Sequence, residues 1–387
     1  MAAAAAASLQ RSLHPIVGGV VVSPDGALSP YPTLISMRGD HPVPGSHSFA
    51  AAAKIAEVSA GRRGNDVAIV LISGGATSLI AAPLRGMREA DLVSLYELLL
   101  GSGLDIAQMN VVRKRFSRWG AGRFALALAP AATHCLAVSD VPNDDLAVIG
   151  SGPCVPDATT AKDVQAILQR AHLLERIPQA HRDYLTSVTR GTIPDTPTTA
   201  HPAFAHITAR VVGSNRLAVD GAAAVARDRG LPTEIVAQRL AGEAAAAGEA
   251  IARHLLALRS ADDVRRCVIW GGETTVTLGA GPAGGTMTGG GRCQELALAA
   301  ARVLYEAGDA GAGISILAAG TDGRDGATDA AGAVVGASTW SAIAAAGRDP
   351  AQALASHESN GALRAAGALI AQRDTGTNVN DVVIGLA

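Results

Sequence analysis

Lysine and aromatic side chains are scarce in this sequence of 387 residues. The lysines are Lys54, Lys114 and Lys162, and all the other basic residues, of 32 in total, are arginines. Any chemistry that needs an ammonium group is therefore restricted to three positions. Aromatic residues make up 3% of the chain, which leaves few platforms for stacking the bases of single-stranded nucleic acid.

An excess of charge of either sign is also absent. The 32 basic and 34 acidic residues give a formal net charge of -2. Without a basic field the chain has no general attraction for nucleic acid or anionic lipid, so we expect small-molecule partners. With 48% hydrophobic residues the chain should fold, and it is long enough for two domains because single cores rarely grow past about 250–300 residues.

Signals for export or membrane insertion are missing too. The opening MAAAAAASLQRSL lacks a basic leader, and its alanine run predicts a helix rather than a signal peptide. No apolar run reaches the roughly 18 residues of a membrane span. The four cysteines form no CxxC pair, which favours reduced thiols and a cytoplasmic location.

Short apolar runs alternate with alanine-rich helical stretches, a pattern typical of α/β layers. We predict two α/β domains, with a boundary in the Thr- and Pro-rich segment Thr189–Pro202: a Rossmann-like domain, residues 1–202, with a mainly parallel sheet and helices on both faces, and an α/β domain, residues 203–387. The predicted strands are Val17–Val22, Val67–Ser73, Cys135–Ser139, Ile207–Val212, Thr233–Ala237, Cys267–Trp270, Thr274–Leu278, Ile314–Ala318 and Val382–Leu386. The predicted helices are Ser46–Ala60, Arg88–Leu100, Asp105–Ser117, Ala161–Ala171, Asn215–Arg229, Gly242–Leu258, Arg292–Ala307 and a cluster through 338–368.

A glycine turn follows the second predicted strand. Paired glycines allow a sharp turn and close approach of a ligand, and a helix that starts there would direct free N–H groups at an anion. The turn matches neither a P-loop nor GxGxxG, and a purely structural strand–turn stays an equal alternative. The candidate phosphate- and nucleotide-binding residues are Ser73, Gly74, Gly75, Ala76, Thr77 and Ser78.

Cations cluster on the helix that Asp105 should cap. Asn110 and Arg113 are candidates for substrate binding, and Lys114 is a candidate catalytic cation, because positive side chains can clamp a carboxylate or a transferring phosphoryl group. A solvated basic helix face is the alternative interpretation.

Acidic residues follow several predicted strands. Asp140 comes just after an apolar strand, where open α/β sheets bind ligands, although a turn aspartate is the plainer interpretation. Arg292 sits behind Gly284–Gly285 and Gly289–Gly291 at a helix start, an unfavourable place for a cation, which suggests that it binds an anion; a structural role is the alternative. The glycine-rich loop after strand Ile314–Ala318 carries Asp322 and two further aspartates, a composition that favours Mg²⁺ or else a tight metal-free turn.

Together these residues resemble the glycerate 2-kinase family, whose members are often labelled hydroxypyruvate reductases and whose C-terminal part is the MOFRL domain. The motifs that carry the resemblance are GVVVSPDG (19–26), GDHPVPG (39–45), LISGGATSL (71–79), NVVRKRFS (110–117), VSDVPNDDLAVIGSGP (138–153), GGETTVTL (271–278), GGGRCQELALAAA (289–301), GTDGRDGATDAAG (320–332) and TGTNVNDVVIGL (375–386).

The resemblance implies ATP-dependent, Mg²⁺-assisted phosphorylation of D-glycerate at its 2-hydroxyl group. It implies a mixed sheet in the MOFRL region, about residues 265–387, and an active-site role for Arg292. Asp322 is the first candidate metal ligand, with Asp140 and Glu273 as further ones. A homodimer stays open.

Three features depart from the family pattern. Gly120 stands where a lysine is usual, and Cys293 stands where asparagine is usual. An N-terminal Gly-Lys-Ala segment with a functional lysine has no counterpart, so we expect a truncated form with weak activity. Two alternatives to the kinase stay open: an NAD(P)H-dependent hydroxypyruvate reductase, disfavoured because no GxGxxG follows a strand, and an inactive ligand-binding form.

Overall fold

The computed structural model describes residues 1–26, 29, 31–61, 63–261, 264–278 and 289–387. Gly284 and Gly285, from the predicted glycine-rich loop, lie outside the described residues. The chain forms two compact units, Met1–Val212 and Gly213–Ala387. The domain boundary expected after residue 202 stays a prediction.

The first unit combines short parallel sheets with helices. Its strands are β1 (Gly19–Ser23), β2 (Leu34–Arg38), β3 (Val67–Ile72), β4 (Ala132–Val138) and β5 (Ile207–Gly213). Its helices are α1 (Ala2–Arg11), α2 (Ser46–Ser59), α3 (Ala76–Leu79), α4 (Glu89–Leu100), α5 (Ile106–Phe116), α6 (Arg123–Leu128), α7 (Ala161–Arg170) and α8 (Gln179–Thr189). Strands β1 and β2 form a parallel pair, and a second sheet has the order β3-β4-β5 with β3 and β4 parallel.

Two apolar clusters hold this unit together. One lies between strands β3 and β4 and helices α2 and α6, around Val70, Cys135 and Phe124. The other is built by α4, α5, α7 and α8, with Leu95 and Phe116 fully buried. Helix α8 and the strand β2 were not predicted from the sequence.

The second unit contains a six-stranded mixed sheet. Its strands are β6 (Thr233–Ile235), β7 (Cys267–Gly272), β8 (Ser315–Gly320), β9 (Ala330–Gly336), β10 (Leu369–Ala371) and β11 (Asp381–Leu386), in the order β10-β9-β8-β11-β7-β6. Only β6 and β7 pair in parallel; the other neighbours are antiparallel. Its helices are α9 (Asn215–Asp228), α10 (Ala244–Ala261), α11 (Arg292–Glu306), α12 (Ala337–Ala345), α13 (Pro350–Ala355) and α14 (Ser359–Ala365).

The α/β class, the parallel pairing in the first unit and the mixed sheet in the second are thus confirmed. The predicted strand Thr274–Leu278 is wrong, because Thr275 makes a single bridge to Glu243 and the Thr277 N–H donates to the Glu243 carboxylate. The predicted cap at Asp105 is confirmed, because its side chain accepts the Gln108 N–H.

Within the described residues, no helix is both long enough and apolar enough to cross a membrane.

Candidate functional site

The glycine turn after β3 lies beside the end of β4. A Cβ on Gly74 would collide with the Asp140 carboxylate, so glycine is what lets this side chain lie against the turn. Gly75 has φ +79°, a backbone conformation that favours glycine. Because β3 and β4 are parallel, their carboxyl ends meet at one sheet edge, which brings Asp140 to the turn. Burial raises the pKa of the Asp140 carboxyl group.

The helix that follows the turn is short. Helix α3 has four residues, so its dipole adds little at the turn, and side chains must supply most of the polarity. Thr77 and Ser151 form a hydroxyl pair with 2.9 Å between their oxygens. The Ser78 hydroxyl donates to the Gly75 carbonyl at 3.2 Å and so stabilises the turn.

Arg113 is a buried cation that is linked to the Thr77 backbone through Tyr96. Its guanidinium lies over the Tyr96 ring, 4.8 Å from the centroid, and the Tyr96 hydroxyl donates to the Thr77 carbonyl. Among the described residues, Arg113 Nε and Nη2 have no hydrogen-bond partner although the side chain is only 7% exposed. Burial lowers the pKa of Arg113, yet a guanidinium stays protonated in a protein. A buried charge without a counter-ion is costly, which points to an anionic ligand.

Lys114 and Arg115 are neutralised inside the unit. Lys114 Nζ lies 2.8 Å from Asp157 Oδ1, and the fully buried Arg115 bonds Asp157 and Asp195. Burial favours the neutral acid, but hydrogen bonds from Lys114 and neighbouring groups outweigh it and lower the pKa of Asp157. The catalytic role of Lys114 stays a prediction, and the ion pair with Asp157 explains its burial without one.

Asn110 stands three residues before Arg113 on α5 and is half-buried. Residues at this spacing share a helix face, so the two predicted substrate-binding side chains lie on the same side of α5.

In the second unit, Arg292 is held by two carboxylates. Its Nε and Nη2 donate to the two oxygens of Asp381 at 2.6 and 3.0 Å, and Nη1 lies 2.8 Å from Glu273 Oε1. Burial lowers the pKa of Arg292, but the hydrogen bonds and charges of these carboxylates outweigh it and raise the pKa. The Asp381 side chain is 4% exposed and that of Glu273 is 44% exposed, so the contact with Glu273 is the one that solvent can reach.

Sheet register explains why these groups meet. Asp381 begins β11 and is paired with Gly272 at the end of β7 and with Gly320 at the end of β8. Glu273 follows Gly272 directly, and Asp322 follows Gly320 by two residues. Asp381 was not among the site residues predicted from the sequence. The available signal for it was a carboxylate directly before an apolar strand.

The N-terminus of α11 is occupied by Asp325. This buried carboxylate accepts the N–H groups of Cys293 and Gln294 at 3.0 and 2.8 Å. A Cβ on Gly291 would collide with the same carboxylate, and one on Gly290 would collide with Ser359. The helix end is thus satisfied by an internal anion, and the adjacent glycines are required by close packing.

The three aspartates of the acidic loop have different surroundings. Asp325 caps α11 and Asp329 pairs with Arg364, whereas Asp322 accepts one N–H, from Arg324 at 2.9 Å. In the described part of the chain, no three His, Cys, Asp or Glu side chains are grouped to hold a metal ion. Mg²⁺ carried by a nucleotide needs only one or two protein carboxylates, and Asp322 fits that smaller requirement.

Two known protein families match parts of this chain. Residues 1–186 match a domain of unknown function (DUF4147), and residues 266–381 match the MOFRL family. The two matches fall on the two halves of an α/β chain.

The relatives specify the family. A D-glycerate 2-kinase from Thermotoga maritima is 35% identical over 95% of this chain and 84% of its own length. An Agrobacterium vitis protein labelled a hydroxypyruvate reductase is 36% identical over 95% of this chain and 80% of its own. The crystal structure of a glycerate kinase from Thermotoga maritima superposes with a TM-score of 0.87 at 34% identity, covering 100% of this chain and 88% of that one. The chain belongs to the glycerate kinase family, as its motifs predicted.

Proposed function

We propose that the protein transfers the γ-phosphoryl group of ATP to the 2-hydroxyl group of D-glycerate, giving 2-phosphoglycerate. Among the structural observations, Arg113 carries the proposal: its buried guanidinium lies over Tyr96, whose hydroxyl donates to the Thr77 carbonyl, and two of its nitrogens are unpartnered among the described residues, which favours an anionic ligand. Both substrates of a glycerate kinase are anions. The kinase names of the relatives support the same reaction.

Phosphoryl transfer depends on alignment and on positive charge around the moving group. The bond from the γ-phosphorus to the bridging oxygen breaks, a bond to the substrate hydroxyl oxygen forms, and the hydroxyl proton is released. Arg113 and the turn Ser73–Ser78 are proposed to hold an anionic group in the first unit. Arg292 is proposed as the active-site cation of the second unit, held in a fixed orientation by Asp381.

Glu273 occupies one face of that cation and is partly exposed. We propose that a substrate anion displaces Glu273 from Nη1, whereas the buried Asp381 stays. This interpretation competes with Glu273 as a metal ligand, and Mg²⁺ titration separates them. If Glu273 is a metal ligand, Glu273→Gln raises the Mg²⁺ requirement; if it is a displaced anion, the variant lowers the KM of one substrate.

Asp322 is the proposed contact for nucleotide-bound Mg²⁺, which would neutralise charge on the phosphates. Asp322→Asn should raise the Mg²⁺ concentration for half-maximal rate by about tenfold, since one anionic ligand is lost. Asp329→Asn is the matched control, because Asp329 lies in the same loop but pairs with Arg364. An unchanged titration for Asp322→Asn would remove this loop from metal binding.

The test of the function is a direct assay. Purified protein is mixed with ATP, Mg²⁺ and D-glycerate, ADP release is measured, and the product is identified by phosphorus NMR. We expect ADP release that depends on D-glycerate, and 2-phosphoglycerate as the product. NADH oxidation with hydroxypyruvate and no ADP release would instead establish the reductase, and ligand binding with neither reaction would establish a silent binding form.

The cellular setting is part of the proposal. Free, buried cysteines at all four positions suit a cytoplasmic protein. A homodimer also stays a prediction, which sedimentation of the purified protein would test.

A further inference from the structure

His41 is a side chain at the glycine turn to which the proposed function gives no task. It follows β2 in the sequence GDHPVPG. A Cβ on Gly75 would lie 3.2 Å from His41 Cδ2 and 3.5 Å from Nε2. The imidazole therefore lies against the open side of the glycine, where a larger residue would press on the ring.

The backbone that carries His41 is anchored. Asp40, directly before it, accepts the N–H groups of His47 and Ser48 at 3.0 and 3.2 Å and so caps α2. The Asp40 N–H donates to the Ser48 hydroxyl at 2.8 Å. A Cβ on Gly39 would collide with the Leu79 carbonyl, so this loop also packs tightly on α3. The backbone position of His41 is thus set by the fold.

The ring itself is not engaged. His41 is exposed, and among the described residues its side chain makes no hydrogen bond. His47, six residues later, bonds Asp40 Oδ1 through Nδ1 at 3.0 Å. An imidazole that lies against Gly75 on an anchored backbone, with no described hydrogen bond of its own, is arranged to contact a ligand.

We propose that His41 contacts the ligand bound at the Gly74–Gly75 turn, its imidazole N–H donating a hydrogen bond to an anionic oxygen. Asp140 faces the adjacent glycine, so a ligand at the turn would lie near both side chains. The oxygen belongs to a phosphate of ATP or to the carboxylate of D-glycerate. This identification of the ligands rests on the proposed function, whereas the contact itself does not.

Titration calorimetry of the full chain with inorganic phosphate, Mg²⁺–ATP and D-glycerate, each alone, tests the contact. His41→Phe keeps a planar ring over Gly75 but has no donor, and it should weaken one ligand by about tenfold or more. Loss of phosphate and ATP binding assigns the oxygen to the nucleotide; loss of D-glycerate binding assigns it to the acceptor. His41→Gln retains an N–H donor and should recover part of the affinity.

His47→Gln is the control, because it removes a nearby exposed histidine whose partner is Asp40. It should bind all three probes like the wild type. The proposal is overturned if folded His41→Phe, checked by near-UV circular dichroism, binds every probe with wild-type affinity, or if the wild-type chain binds none. If phosphate binding depends on His41 but D-glycerate elicits no ADP release, the contact stands and the proposed function fails.

Discussion

Arg113 keeps a positive charge in the interior of the first unit, where its main described partner is the face of Tyr96. Such an interaction offsets only part of the desolvation cost. Arg113→Met should therefore raise the free energy of unfolding by about 1–2 kcal/mol while reducing kcat/KM by about a hundredfold or more. Urea unfolding and the ADP assay measure the two effects.

Arg118→Met is the matched control for this variant. Arg118 also lies over an aromatic ring, that of Trp119 at 4.7 Å, but it is partly exposed. Its replacement should change stability by less than about 1 kcal/mol and leave kcat/KM near the wild-type value. If Arg113→Met loses stability and keeps activity, Arg113 is a packing residue and not a ligand contact.

Arg292 uses three nitrogens on two carboxylates, a geometry that lysine cannot reproduce. Arg292→Lys should remove about 2–4 kcal/mol of transition-state stabilisation and so lower kcat, while the second unit stays folded. Steady-state kinetics with D-glycerate measure the loss, and circular dichroism reports the fold. A wild-type kcat would show that Arg292 only ties Asp381 and Glu273 together.

Sequence adjacency could not distinguish the three cations of α5. Arg113, Lys114 and Arg115 are consecutive, so a helix turns each to a different direction, about 100° apart. Their partners are set by residues far along the chain: Asp157 and Asp195 reach Lys114 and Arg115. The sequence predicted functional charge on this helix, which stays a prediction, and only the tertiary structure shows which charge lacks a carboxylate among the described residues.

At the scale of elements, α11 depends on a cap from a distant loop. Asp325 accepts two backbone N–H groups and a side-chain N–H of Gln294. Asp325→Ala should lower the free energy of unfolding by about 2–4 kcal/mol, because the cap is lost and buried donors are left without acceptors. Asp329→Ala, which removes an exposed partner of Arg364, should cost about 0–1 kcal/mol. Equal losses in chemical denaturation would contradict the capping role.

Element prediction succeeded where local pattern and tertiary structure agree. Strand β11 was found from its apolar run and α11 from its alanine-rich helical stretch, and in the structure both elements are largely buried. Strand β9, AAGAVVG, was missed because alanine and glycine give no strong periodicity. The predicted strand Thr274–Leu278 has suitable β-branched residues, but the Glu243 carboxylate takes its donors. Such long-range hydrogen bonds are not visible in a local pattern.

At the scale of the whole molecule, the two compact units have separate apolar cores. A change that acts on one core should therefore affect the protection of that unit most. The core of the first unit contains a titratable group, His181 on α8, which is fully buried with its ring 4.4 Å from that of Phe116. Neither of its ring nitrogens has a partner among the described residues.

Burial lowers the pKa of His181 from 6.5 to about 4, and the Asp91 carboxylate opposes this shift weakly. Below pH 6.5 the His181 imidazole is protonated in the unfolded chain but stays neutral in the folded chain. The free energy of unfolding therefore falls as the pH falls from 6.5 towards 4. The loss at pH 5 should be about 2 kcal/mol. Hydrogen exchange at pH 7 and pH 5, corrected for intrinsic rates, should show lost protection in the first unit and little change in the second.

His181→Leu should remove this contribution, because an apolar side chain of similar size forfeits no hydrogen bond at that position. The variant should keep the protection of its first unit between pH 7 and pH 5, whereas His206→Gln, at an exposed histidine, should keep the wild-type pH dependence. If His181→Leu loses protection at pH 5 as much as the wild type does, another group destabilises the first unit. If both units lose protection together in the wild type, they unfold as one cooperative body and the separate-core interpretation is wrong.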